Sequence, residues 1–76
     1  MGIQVKLAMV EFRDKTDDEL MARYIRHVLS PFPFMVEVEA LHNVFKERNI
    51  VPKGMGVSFI FDHNGTEKVI NIEEKN

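Results

Sequence analysis

The segment from Gly56 to Glu73, GVSFIFDHNGTEKVINIE, restricts the fold more than any other part of the chain. Two alternating runs flank Asn64-Gly65. Both central positions of a two-residue hairpin turn of this type need positive φ, which Asn and Gly tolerate best. The segment is predicted as a β-hairpin whose turn sets the register. His63 then opposes Thr66, Phe61 opposes Lys68, Phe59 opposes Ile70, and Val57 opposes Ile72. Directly opposed residues share a face. One face carries Val57, Phe59, Phe61, Ile70 and Ile72; the other carries Ser58, Ile60, Asp62, Glu67, Val69 and Asn71.

An isolated hairpin is marginal in water, so the rest of the chain must supply an apolar layer for it. With 76 residues the chain is read as a single domain, 1–76, with 73–76 a polar tail. A chain of this size buries only about 60% of its unfolded surface. There is no cysteine, which removes disulfides and thiolate–metal sites and leaves good packing or oligomerisation as sources of stability.

Residues 3–12 alternate. Ile3, Val5, Leu7 and Met9 fall on one side, and Gln4, Lys6, Ala8 and Val10 on the other, so a strand is predicted. Arg13-Asp14-Lys15 is a polar break. Thr16-Asp17-Asp18-Glu19 has the form of a capping box, with acidic residues where a helix dipole favours them. Leu20, Met21, Tyr24, Ile25 and Val28 follow at helical spacing, and a helix is predicted over 17–29. Ser30-Pro31-Phe32-Pro33 ends it, because proline disfavours helical geometry in the residue before it.

Residues 34–40 support two periods. Phe34, Val36, Val38 and Ala40 alternate as a strand would; Phe34, Val38, Leu41 and Phe45 form a helical stripe. A strand would have to break before Leu41, and no Gly, Pro, Asn or Asp stands between Phe34 and His42 to break it. A continuous helix stopping at Asn49 is the favoured reading, with strand-then-helix the alternative. Val51 to Gly56 reads as a loop.

The fold class is therefore α+β: a small two-layer β-α-α-β-β sandwich, in which two helices cover one face of a three-stranded antiparallel sheet. Ala8, Val10, Ile60 and Val69 would lie on the far face. They are too apolar for a solvated surface and too few for a second core. Exposed patches of this kind mark interaction sites, and a sheet-mediated homodimer is expected.

The N-terminus alternates where a signal peptide would be continuously apolar, and no stretch approaches the roughly 18 apolar residues of a membrane span. Met1-Gly2 is followed by Lys6 where a myristoylation motif needs Ser or Thr. These features, with the lack of cysteine, read as a soluble, cytoplasmic protein with no membrane partner. The formal charge of −2 gives no basic excess for nucleic acid.

The motifs for chemistry are weak. His27, His42 and His63 match no metal-ligand spacing. Gly54-Met55-Gly56 follows a lysine but precedes a strand, not the helix a phosphate loop needs. Asn64-Gly65-Thr66 matches a glycosylation sequon that the turn already explains. Ser30 and Ser58 lie in no nucleophile-elbow sequence. Glu37 and Glu39 diverge on a helix. No catalytic residue, metal site or cofactor is expected, and the chain is read as a non-enzyme.

Two helices followed by a hairpin are similar to a winged helix-turn-helix, with Asn64-Gly65 as the wing tip and Arg23, Arg26, Lys46, Arg48 and Lys53 as the basic residues. The sequence departs from that family in lacking a third predicted helix and in the acidic character of VEVEALHNVFKERN. Phe32 and Phe34 flank Pro33 and are expected to plug the gap between helices and sheet, with Phe32, held between two prolines, the alternative candidate as an anchor for a partner's pocket. The expected function is a small regulatory or adaptor protein that binds another protein, as a homodimer, through Val10, Ile60, Val69 and Phe32. Compact inhibitors of cellular machinery, including those carried by bacteriophages, are built at this scale. A small DNA- or RNA-binding regulator using Arg23 and Arg26 is the alternative.

Overall fold

The computed structural model describes residues 2–54 and 58–71. Three helices precede a three-stranded antiparallel sheet: α1 (Ile3–Arg13), α2 (Asp17–Leu29), α3 (Met35–Glu47), β1 (Ile50–Pro52), β2 (Ser58–His63) and β3 (Thr66–Asn71). The strands are ordered β1-β2-β3, a meander in chain order. The protein is α+β, but the β-α-α-β-β order is corrected to α-α-α-β-β-β. No described helix is long and apolar enough to cross a membrane.

The first correction concerns residues 3–12, which are helical. Val5, Met9 and Phe12 are buried at i, i+4 and i+7, one face of a helix. Apolar residues occupy both sides of this segment, so period 2 and period 3.6 fit equally well. Composition decides between them: Gln, Lys, Leu, Ala, Met, Glu and Arg are good helix formers, and no Gly or Pro interrupts.

The capping box before α2 is present as expected. The Glu19 amide donates to Thr16 Oγ1 at 3.2 Å, and the Thr16 amide donates to Glu19 Oε1 at 3.3 Å. Leu20, Met21, Tyr24 and Ile25 are buried on one side. The segment 34–40 takes its helical reading within α3. Phe34 is the N-cap and lies exposed, while Ala40, Leu41, Val44 and Phe45 carry the buried face. Asn49 follows α3 in the left-handed region, φ 59°, and stops it there. Its carbonyl accepts from the Asn64 amide at 3.2 Å, which ties the end of α3 to the hairpin turn.

The hairpin has its expected register, from His63 opposite Thr66 through Phe59 opposite Ile70. Asn64 and Gly65 both have positive φ, and Asp62 Oδ1 accepts the Gly65 amide at 2.8 Å. The Val57–Ile72 pair lies outside the described residues. The second correction is β1: the loop expected from Val51 onward begins as a strand. Ile50, Val51 and Pro52 pair with His63, Asp62 and Phe61, and the Lys53 amide donates to Ile60 O at 2.7 Å. Proline is tolerated because this is an edge strand.

One hydrophobic core joins these elements: Val5, Met9 and Phe12 from α1, Leu20, Met21, Tyr24 and Ile25 from α2, the α3 face, Ile50, and Phe59 and Phe61 from β2. Tyr24, Phe45 and Phe61 meet edge to face, with ring centroids 5.6 to 5.9 Å apart. Such contacts add about 0.5–1.5 kcal/mol to burial alone. Helix α1 packs against α3 far more extensively than α2 does.

Candidate functional site

With one helical stripe of α1 buried, the opposite stripe faces outward. Ile3, Leu7 and Val10 lie at i, i+4 and i+7 and are 73%, 64% and 60% exposed. An open groove of about 340 Å³ runs beside them between α1 and the start of α3, lined by Leu7, Ala8, Phe34 and Val36 with Gln4, Glu11 and Glu37 at its edges. The outer side of the sheet forms a second apolar area. Ile60 is half-buried opposite Val69, which is exposed, and Val51 stands opposite Asp62 on the same face. Lys53 crosses this area, with its Nζ 3.0 Å from Asp62 Oδ2 and 3.5 Å from Glu67 Oε2.

The sequence reading grouped Val10 with Ile60 and Val69. The structure separates them, because Val10 belongs to a helix. Phe32 does not plug the gap between helices and sheet: it is 91% exposed at the turn between α2 and α3, where Ser30 Oγ accepts its amide at 3.2 Å. Phe34 is less exposed than Phe32.

Arg23 is engaged within the fold. Its Nη1 lies 2.8 Å from Glu37 Oε1, and its guanidinium sits 5.4 Å from the centre of the Phe12 ring. One cation thus links all three helices through an ion pair and a cation–π contact. His27 Nε2 meets the other oxygen of Glu37 at 2.9 Å. Arg26 is exposed beside Lys15, Arg23 and Glu19 in a cleft of about 210 Å³.

Arg48, one of the basic residues of the winged-helix comparison, has a structural task. Its Nη1 donates to Asp17 Oδ1 at 2.8 Å. Its Nη2 lies 3.3, 3.0 and 2.9 Å from the carbonyls of Phe12, Arg13 and Lys15. It therefore supplies a donor to the carbonyls of Arg13 and Lys15, adds a second one to the Phe12 carbonyl, which already accepts the Lys15 amide at 3.0 Å, and holds the α1–α2 turn against the end of α3. Arg13 forms a two-point pair with Glu47, at 3.0 and 2.7 Å, across the same junction. That pair holds the Glu47 carboxyl below its usual range, and the Lys53 ammonium together with the Gly65 amide does the same for Asp62. Lys68 pairs with Asp18. Among the described residues, five of the nine Lys and Arg side chains are thus bound to carboxylates of the same chain.

The three histidines go to three separate places. His27 meets Glu37, His42 stacks at an angle on Tyr24 with centroids 5.4 Å apart, and His63 Nδ1 is 3.7 Å from Asp17 Oδ2. Among the described residues no three His, Cys, Asp or Glu side chains converge to hold a metal ion. What the structure gathers is apolar surface, most densely along α1. Its signal in the sequence was visible: seven of eleven residues of α1 are apolar and cannot all face one core. No family model, curated protein or solved structure matches this chain.

Proposed function

We propose that this chain is a small non-enzymatic regulatory or adaptor protein that acts by binding another protein, as a homodimer. One observation carries the reading. Ten large apolar side chains remain exposed among the described residues of a small chain, and six of them fall into two groups: the α1 stripe with Phe34, and Val51 with Val69 on the sheet. Contiguous exposed apolar surface of this kind marks protein contacts more often than isolated residues do. In this reading the helices cover the Phe59–Phe61 side of the sheet in a second layer. Val51, Ile60 and Val69 then stay free on the outside, and Phe32 projects from the α2–α3 turn as an anchor.

The alternative, a winged-helix-like nucleic-acid binder, gains one observation: a third helix does precede the hairpin. Its electrostatics are poor. Five of the nine described basic side chains are spent on internal pairs, and the exposed residues of α3 include Met35, Glu39, His42 and Lys46.

The two readings separate in an affinity capture from native cells, run with and without nuclease beside the Phe32→Ser and Val69→Glu variants. Protein binding is expected to survive nuclease and to weaken in at least one variant. Capture that vanishes with nuclease, and falls steeply with salt, would transfer the assignment to nucleic acid.

A further inference from the structure

The outward stripe of α1 carries more than apolarity: its spacing and its flanking charges define what fits it. Ile3, Leu7 and Val10 occupy consecutive d, a and d positions of a heptad. On that numbering Gln4 and Glu11 are e positions along one edge, and Lys6 and Arg13 are g positions along the other. Lys6 and Glu11 lie about 140° apart around the helix, so they cannot pair with each other. Neither has a carboxylate or ammonium partner elsewhere among the described residues, a state Lys6 shares with Lys15, Arg26 and Lys46; of these, Lys6 alone lies beside the α1 stripe.

We propose that the α1 stripe is the homodimer seam, and that a second copy packs its own α1 against it in parallel, with Lys6 of each copy reaching Glu11 of the other. This inference rests on the homodimer reading above and moves the contact from the sheet to the helix.

The orientation follows from the charges. In a parallel pair the g edge of one helix meets the e edge of the other, with a g residue facing the e residue five positions on. Lys6 and Glu11 have that separation, and the two-fold axis makes the bridge twice. In an antiparallel pair each edge meets its own copy, which sets the Lys6–Arg13 edge against itself. The parallel seam also covers Leu7 from both sides and lays the partner's Lys6 stem beside Phe34. The burial of Val5, Met9 and Phe12 on the other side of α1 leaves the stripe free to do this without disturbing the monomer's core.

The contact is small. Helix α1 has 11 residues, about 16 Å, and a standard interface takes roughly 800 Å² from each partner. A concentration-dependent dimer is therefore expected.

Sedimentation equilibrium over a concentration series tests this. The unsubstituted protein is expected to dimerise, and Leu7→Glu to be monomeric with unchanged helical circular dichroism. Lys6→Glu and Glu11→Lys are each expected to weaken dimerisation by about tenfold, by replacing two bridges with two repulsions, and the double swap K6E/E11K to recover most of the loss. Because the chain has no cysteine, Ile3→Cys and Val10→Cys each introduce a single thiol. Each is expected to form a covalent dimer under mild oxidation in the parallel seam, and neither would in an antiparallel one. A dimer that survives Leu7→Glu at full strength overturns this seam while leaving the homodimer reading in place. A protein that stays monomeric throughout the series overturns both.

Discussion

Helices α1 and α2 are of similar length and share one core, yet they are built to opposite plans. α2 is one-sided. Leu20, Met21, Tyr24 and Ile25 face inward, acidic residues fill its first turn, and the Thr16–Glu19 box closes its start. α1 is two-sided. It buries Val5, Met9 and Phe12, shows Ile3, Leu7 and Val10 to the outside, and begins without a side-chain cap. An amphipathic helix needs only its own fold to satisfy its apolar face. A helix apolar on both sides satisfies half of itself at home. On the proposed reading, α2 serves architecture and α1 serves architecture and contact together.

The sharpest way to break that contrast is to truncate each side of α1 in turn. Phe12→Ala removes a side chain with no exposed surface and also the ring beneath the Arg23 guanidinium. Its expected cost is about 3–5 kcal/mol, enough to unfold much of a chain this small. Leu7→Ala, two-thirds exposed, is expected to shift monomer stability by less than about 0.5 kcal/mol. Urea midpoints at a concentration too low for self-association give both values. Comparable losses at the two positions would mean that the outer stripe is part of the core and that α1 has no free side.

The same contrast explains what could be read in advance. α2 and the hairpin were legible because their signals are local: a capping box at N-cap and N3, and Asn-Gly between alternating runs. α1 was misread because apolar residues on both sides satisfy two periods at once. That error carried Val10 onto a sheet it does not belong to, while Ile60 and Val69 were placed on one face correctly by the hairpin register. Strand β1 was missed because three residues with a proline have no pattern of their own and exist as a strand only through pairing with β2. Arg48 left no trace, since the acceptors it serves lie 31 to 36 residues away and three of them are backbone carbonyls that any sequence would provide.

Arg48 is also where the two helices are joined, so its removal comes next in size. Arg48→Ala strips the carbonyls of Phe12, Arg13 and Lys15 of a donor and leaves Asp17 without its closest cation. A loss of about 1–3 kcal/mol is expected. Arg48→Lys should recover only part of it, because an ammonium cannot present the planar fork that reaches the aspartate and the carbonyls together. Full recovery by lysine in chemical denaturation would reduce Arg48 to a point charge.

Smaller losses than that of Arg48 belong to the cap that α2 has and α1 lacks. Thr16→Ala removes the acceptor for the Glu19 amide and should cost about 1 kcal/mol. The charge on Glu19 adds a dependence on pH. The Thr16 amide and then the Thr16 hydroxyl, at 3.3 and 3.1 Å, hold its carboxyl below the usual glutamate value. A carboxyl whose folded value is lowered binds its proton more readily in the unfolded chain. Its contribution is therefore complete above the ordinary carboxylate range, near pH 4–5, and is lost as pH falls through the lowered folded value. Glu47 and Asp62 act in the same direction. Stability is thus expected to decline between about pH 5 and pH 2, and Glu19→Gln, which keeps an acceptor but cannot titrate, should make the decline shallower. Because Glu19 is exposed, the flattening will be slight, and urea midpoints measured at several pH values on both proteins are needed to resolve it. Parallel curves for the two would show that the box acts through its hydrogen bonds alone, with no help from the charge.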